Sequence, residues 1–188
     1  MNPVEPIRDL GKLIEIKRKL RRANPRNYLL FVLGVNTALR ISDLLALHVN
    51  DVIDENRTVR QFLILREKKR GKHKRIKLNE AATEAIEFFL EQTKPEHSEF
   101  LFKNAQTGKA ISRVQAWRLI NAWARAVGIT DLIGTHSMRK SWGLHARKSG
   151  VSLELIQKKL GHSSPSVTER YIGITADEIE AVENQVNL

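Results

Sequence analysis

The chain has 188 residues, 41% of them hydrophobic, enough for one domain with a real core and too many for a disordered chain. There is no cysteine, so disulfide frameworks and thiolate metal sites are excluded, and no apolar run is long enough to cross a bilayer. Lysine and arginine number 32 against 21 aspartates and glutamates, a net charge of +11, which suits a polyanionic partner such as nucleic acid. The first residues carry charges throughout and lack the apolar stretch of a secretory signal, so a cytoplasmic protein is expected.

In chain order, PIRDLGKLIEIKRKLRRANP reads as a helix with Leu10, Leu13, Ile14 and Ile16 as its apolar stripe, ended by Asn24 and Pro25. Its Arg18, Lys19, Arg21 and Arg22 form a basic cluster that a phosphate contact and a solvated face explain about equally well. RNYLLFVLGVNTALR is apolar nearly all round, the mark of a buried helix. ISDLLALHV begins a short helix with Ser42 as its expected N-cap. DENR is a turn, followed by two strand-like runs, TVRQFLIL and HKRIKL, joined through REKKRGK with Gly71 at the turn. In the second run Arg75 and Lys77 point one way, Ile76 and Leu78 the other. The hairpin tip is therefore loaded with cations: Lys68, Lys69, Arg70, Lys72, Lys74 and Arg75. Of these, Lys68, Arg70, Lys72, Lys74 and Arg75 are the expected DNA-binding residues.

Asn79 is placed to cap the next helix, EAATEAIEFFLEQT, with Pro95 beyond its end. RVQAWRLINAWARAVG is amphipathic, with Val114, Trp117, Ile120, Ala124 and Val127 at helical spacing and Gly128 closing it. THSMRKSWGLHARKSG and SLELIQKKLGH are two further helices, with Thr135 a candidate cap for the first. SPSVTERYI and ADEIEAVENQV complete the chain; in the last, Ile179, Val182 and Val186 make a short apolar stripe.

Several chemistries find no support. There is no GxxxxGK[ST] loop, no HExxH, and no zinc spacing among the six histidines. The cluster Asp51, Asp54 and Glu55 reads as a solvated turn rather than a magnesium site. No cofactor and no metal are expected.

Three separated stretches remain. In TALRISDLLAL, Arg40 lies between two helices, where it either presents a free guanidinium or caps the preceding carbonyls. In GTHSMRKSWG, His136 and Arg139 share one face of a helix start, a natural anion site. In LGHSSPSVTERY, His162 follows a helix-ending glycine and Tyr171 lies on the next helix.

Together, ALRISDLLAL, HSMRKS and LGHSSPSVTERY resemble the three boxes of the tyrosine recombinase, or phage integrase, family, in order and over nearly the whole chain. The resemblance implies an α+β, mainly helical catalytic fold with a small three-stranded antiparallel sheet. It implies an enzyme whose tyrosine attacks a DNA phosphodiester and forms a 3′-phosphotyrosyl link. The matching catalytic positions are Arg40, Asp43 (where glutamate is more usual), His136, Arg139, His162 and the nucleophile Tyr171. A hairpin lysine completes the set: Lys69 matches best, with Lys68 and Lys72 close rivals. Two positions depart: Lys140 stands where a histidine often follows the arginine, and Gly173 where one often follows the tyrosine.

The resemblance further implies double-stranded DNA as partner, a tetramer on it, and a nucleoid-associated cytoplasmic location. Residues 1–188 are expected to be a single catalytic domain without the N-terminal DNA-clamping domain of most members. Such a chain is either an excised domain or a short recombinase resembling the fimbrial-switch invertases, and a clamping domain or accessory protein is a possible partner. The competing readings are a helix-turn-helix regulator built on SLELIQKKLGHSSPSVTERYI, an inactive recombinase-fold DNA binder, and a type IB topoisomerase.

Overall fold

A computed structural model describes residues 4–66 and 73–174. The chain orders α1 (Leu10–Ala23), α2 (Pro25–Thr37), α3 (Ile41–Leu45), α4 (Val49–Val52), β1 (Phe62–Arg66), β2 (His73–Lys77) and α5 (Glu80–Thr93). It continues with α6 (Arg113–Arg125), α7 (Ser137–Lys148), α8 (Leu153–Leu160) and α9 (Pro165–Ile172). No helix among the described residues is long and apolar enough to cross a membrane.

The centre is α2, expected to be buried and found so: Leu29, Leu30, Phe31, Val32, Leu33 and Gly34 all face protein. It packs against α1, α5 and α7. Asn24 works twice, ending α1 and capping α2 by accepting from the Asn27 N–H, with Pro25 in the first turn. Gly34 lets α7 approach closely, since a Cβ there would sit 2.4 Å from the Met138 sulfur. Asn79 caps α5 as expected, accepting from the Ala82 N–H.

Several local expectations are corrected. The sheet among the described residues has two antiparallel strands, not three, paired Phe62 with Lys77 through Arg66 with His73. Thr58 and Val59 do not extend β1; Val59 makes only an isolated bridge with Ile53. The buried stripe of α1 is Leu13, Ile16 and Leu20, while Leu10 and Ile14 stay exposed. On α6, Ala116, Ile120, Trp123 and Ala124 go inward, leaving Val114 and Trp117 largely in solvent. Ser42 lies inside α3, whose N-cap is Arg40. Thr135 does not cap α7; His136 occupies the N-cap without a side-chain bond.

Of the acidic cluster read as a turn, Asp51 instead lies in α4 as its capping-box residue, while Asp54 shapes the turn that follows. Asp51 accepts from the His48 N–H, and Asp54 accepts from the N–H groups of Asn56 and Thr58. The basic cluster on α1 is partly committed to the protein itself. Arg21 stacks over Phe88 at 4.7 Å, and Lys19 donates to the Ala126 carbonyl at 2.7 Å.

Two apolar clusters result among the described residues. The larger spans α1, α2, α5, α6 and the hairpin. The smaller contains Ala38, Ile156, Leu160 and Ile172, with Trp142, Val151 and Tyr171 against it.

Candidate active site

The site lies over the smaller cluster, where α2, α7, α8 and α9 meet. Arg139, in the first turn of α7, is 3% exposed. Its guanidinium donates to two backbone carbonyls, Ala38 past the end of α2 and Leu160 at the end of α8. Helix C-termini leave such carbonyls without internal partners and carry partial negative charge. One guanidinium thus ties two helix ends together and still holds N–H groups for another acceptor.

The Ala38 carbonyl accepts from Arg139, and among the described residues Arg40 makes no hydrogen bond to a carbonyl of α2. Arg40 is exposed, at the N-cap of α3, and its charge acts on His136, Arg139, His162 and Tyr171. Asp43, one turn into α3, supports the Arg139 charge.

Tyr171 is half-buried on α9. Its hydroxyl lies 3.3 Å from His136 Nδ1, and its ring packs edge-on against His162, with centroids 4.7 Å apart. The Lys140 ammonium sits 5.3 Å over the tyrosine ring centroid. Burial pushes the phenol above the ordinary tyrosine value, while Arg139 and then Arg40 pull it back down. The resting side chain is therefore a protonated phenol.

The histidines are set the other way. His136, exposed at the N-cap of α7, is pushed down by partial desolvation, then by the charges of Arg139, Arg113, Arg40 and Lys140. His162 is lowered by burial, then by Arg139 and Arg40. Both imidazoles are thus neutral at pH 7. With its proton on Nε2, His136 presents a lone pair to the phenol. His162 Nδ1 is 3.2 Å from the buried Thr168 hydroxyl, which fixes the ring plane.

The hairpin reaches this cluster through Lys74, whose ammonium donates to the Lys159 carbonyl at 3.2 Å near the end of α8. Arg75 lies on the outer face over the Phe62 ring, 3.5 Å from its centroid. Lys68, Lys69, Arg70 and Lys72 lie outside the described residues, as do Ile179, Val182 and Val186.

A model described as "Phage integrase family" matches residues 8–178. The chain belongs to the phage integrase family. Among members, it is 41% identical over 181 residues to the probable integrase/recombinase YoeC of Bacillus subtilis, covering 96% of each chain. It is 31% identical to the tyrosine recombinase XerA of Pyrococcus horikoshii, covering 90% of this chain and 58% of that one. The chain thus spans about the whole of YoeC but little more than half of that XerA. In fold it is similar to a XerA recombinase crystal structure (TM-score 0.78, 18% identity, 99% of this chain and 64% of that one). It is also similar to a XerH recombinase in a post-cleavage complex with its difH substrate (TM-score 0.73, 22% identity, 97% and 53%).

Of the positions expected from sequence, Arg40, His136, Arg139 and His162 come together around the Tyr171 phenol, and Asp43 acts on Arg139 behind them. Sequence reasoning missed Arg113 and Thr168 and did not foresee that Lys140 would stack on the tyrosine. Thr168 stands three residues before Tyr171, a spacing that puts both on one helical face. Arg113 lies 23 residues before His136 and carries no local signal.

Proposed function

We propose that this chain is a site-specific recombinase that cuts and rejoins double-stranded DNA through Tyr171. The observation that carries the reading is the placement of one phenol between a neutral imidazole at 3.3 Å and two arginine charges. A phenol with an ordinary pKa of about 10 is a poor nucleophile at neutral pH. It needs a proton acceptor, which His136 supplies, and positive charge to favour its anion.

In the proposed step the Tyr171 oxygen bonds to the scissile phosphorus and its proton passes to His136. The bond to the 5′-oxygen breaks, and that oxygen takes a proton from Lys69. Arg40 and Arg139, which also bonds the Tyr171 hydroxyl, hold the non-bridging oxygens as charge builds on them, and His162 adds a further contact. Asp43 orients the arginines. The 3′-phosphotyrosyl ester keeps the energy of the broken phosphodiester, so attack by a free 5′-hydroxyl reseals the strand without ATP.

Lys68, Arg70, Lys72, Lys74 and Arg75 bind backbone phosphates. Residues 1–188 act as one catalytic domain on DNA in the nucleoid. Two duplexes exchange strands, so the working assembly is a tetramer on DNA.

The test uses a pool of nicked duplexes with randomised arms, incubated with the full chain and then denatured. Covalent adducts are recovered and their DNA sequenced. Wild type is expected to enrich a site, and Tyr171→Phe to give no adduct while still shifting the enriched duplex in a gel. DNA binding without any adduct from wild type would favour the regulator reading instead.

A further inference from the structure

Residues 5–8 form a strap that crosses α7 and ends on the tyrosine helix. The Glu5 N–H donates to the Leu132 carbonyl at 2.8 Å. Ile7 is buried; its N–H donates to Ser141 Oγ at 2.8 Å, and His145 Nε2 is 2.9 Å from its carbonyl. These two bonds fix the strap's register on α7. The next residue, Arg8, is thereby presented to α9, and its guanidinium donates to the Gly173 carbonyl at 2.8 Å. Glu5 steadies the same guanidinium at 3.6 Å.

Gly173 is the left-handed C-cap of α9, two residues past Tyr171. The helix has 8 residues and is too short to hold itself. Ser164 and Pro165 begin it, and Ile172 packs where a Cβ on Gly143 would be 2.6 Å away. Arg8 closes the other end, where a cation favours the helix dipole. The strap also faces the lysine that covers the tyrosine ring, since Glu5 and Arg8 act on Lys140 with opposite signs.

We propose that Arg8 is a positioning residue for the nucleophile: it fixes the end of α9 and thereby the line along which the Tyr171 oxygen meets the phosphate. Arg8 touches no reacting atom. The inference rests on Tyr171 being the nucleophile. A displacement of about 1 Å at a reacting atom costs on the order of a hundredfold in rate, so a partial loosening of α9 has a measurable effect.

The experiment is single-turnover cleavage of the duplex enriched by wild type, beside its equilibrium binding. Arg8→Ala is expected to slow cleavage about tenfold or more with binding unchanged. Arg8→Lys, which keeps one cationic donor, should recover most of the rate. A combined Arg8→Ala, Gly173→Ala variant should fall no further than the worse single change, because a Cβ on Gly173 would meet Arg8 Nη2 at 2.9 Å. Arg8→Ala cleaving at the wild-type rate overturns the proposal. So does a loss of binding with a shallower salt dependence, which would make Arg8 a phosphate contact. Amide exchange without DNA separates this from the recombinase reading. If Gly173 and Ile174 do not exchange faster in Arg8→Ala while α8 stays constant, the strap fails even where cleavage stands. If wild type forms no adduct and those amides do respond, the strap holds α9 and the recombinase reading is what falls.

Discussion

The two apolar clusters are built on different principles. Around α2, large side chains such as Phe31, Leu33 and Phe102 are fully enclosed, and few polar groups take part. Around Tyr171 the enclosed apolar set is Ala38, Ile156, Leu160 and Ile172, and much of the cohesion is polar. There Arg139 joins the ends of α2 and α8, Thr168 holds His162, and Arg8 holds the end of α9. The first region is a scaffold whose tolerance is set by volume. The second is a set of helix ends held by directional bonds, which place atoms accurately with little burial to stabilise them.

The arginine pair breaks or sharpens this contrast most. Arg139→Ala and Arg40→Ala should each lower cleavage about 10²–10³-fold, with DNA still bound. Their stabilities should differ. Arg139→Ala leaves two buried carbonyls unpaired, a loss of about 1–3 kcal/mol each at most, whereas exposed Arg40→Ala stays within about 0.5 kcal/mol. Equal denaturation midpoints for the two would mean Arg139 does not bolt the helix ends together. Next comes the leaving group. Lys69→Ala should cleave poorly on ordinary DNA and recover on a 5′-phosphorothiolate, whose sulfur leaves without an acid; absence of recovery would move the role to Lys68 or Lys72.

Core substitutions separate the regions directly. Phe31→Ala should cost about 3–5 kcal/mol, and cleavage should then track the folded fraction. Ile172→Ala should cost about 2 kcal/mol, near the low end for such changes, yet slow cleavage in protein that remains folded. Identical loss of rate per folded molecule in both would erase the distinction.

The smallest effect is with pH. His136 and His162 are both depressed in the folded state, so the unfolded chain binds more protons below its histidine value of about 6.5. The stability that their neutral forms provide is present above that value and is lost as pH falls through the depressed folded values. Thermal midpoints should drop between pH 7 and pH 5, and His136→Gln should flatten the drop. Cleavage should fall over the same acid limb, because a protonated His136 accepts nothing from the phenol.

Much of this was legible in the sequence. Asn79 and Asn24 announce helix starts because capping is local chemistry, and the unbroken apolar run of α2 left it only the centre to occupy. The three boxes single out Arg40, Asp43, His136, Arg139, His162 and Tyr171, whose catalytic roles are the proposal made above. What stayed hidden depends on partners distant in the chain. Helical spacing on α1 allows a stripe through Leu10 and Ile14 as readily as one through Leu13, Ile16 and Leu20; the packing of α2 chooses. The run TVRQ has strand composition, but Val59 finds a bridging partner in Ile53 alone, so it adds no third strand among the described residues. Nothing near Arg139 tells that two carbonyls await it, and nothing near Arg8 points to Gly173.

Those distant partners have a consequence for the order of events during synthesis. The contacts that make the site close long stretches of chain: 35 residues between His136 and Tyr171, 101 between Ala38 and Arg139, 165 between Arg8 and Gly173. Loops of that length cannot close until both ends have left the ribosome, and such separated contacts are slow to form. The α2 helix can collapse with α1 and α5 while translation continues. The tyrosine acquires its neighbours only when nearly all of residues 8–173 have emerged, so this cluster of helix ends is the last part of the fold to be completed.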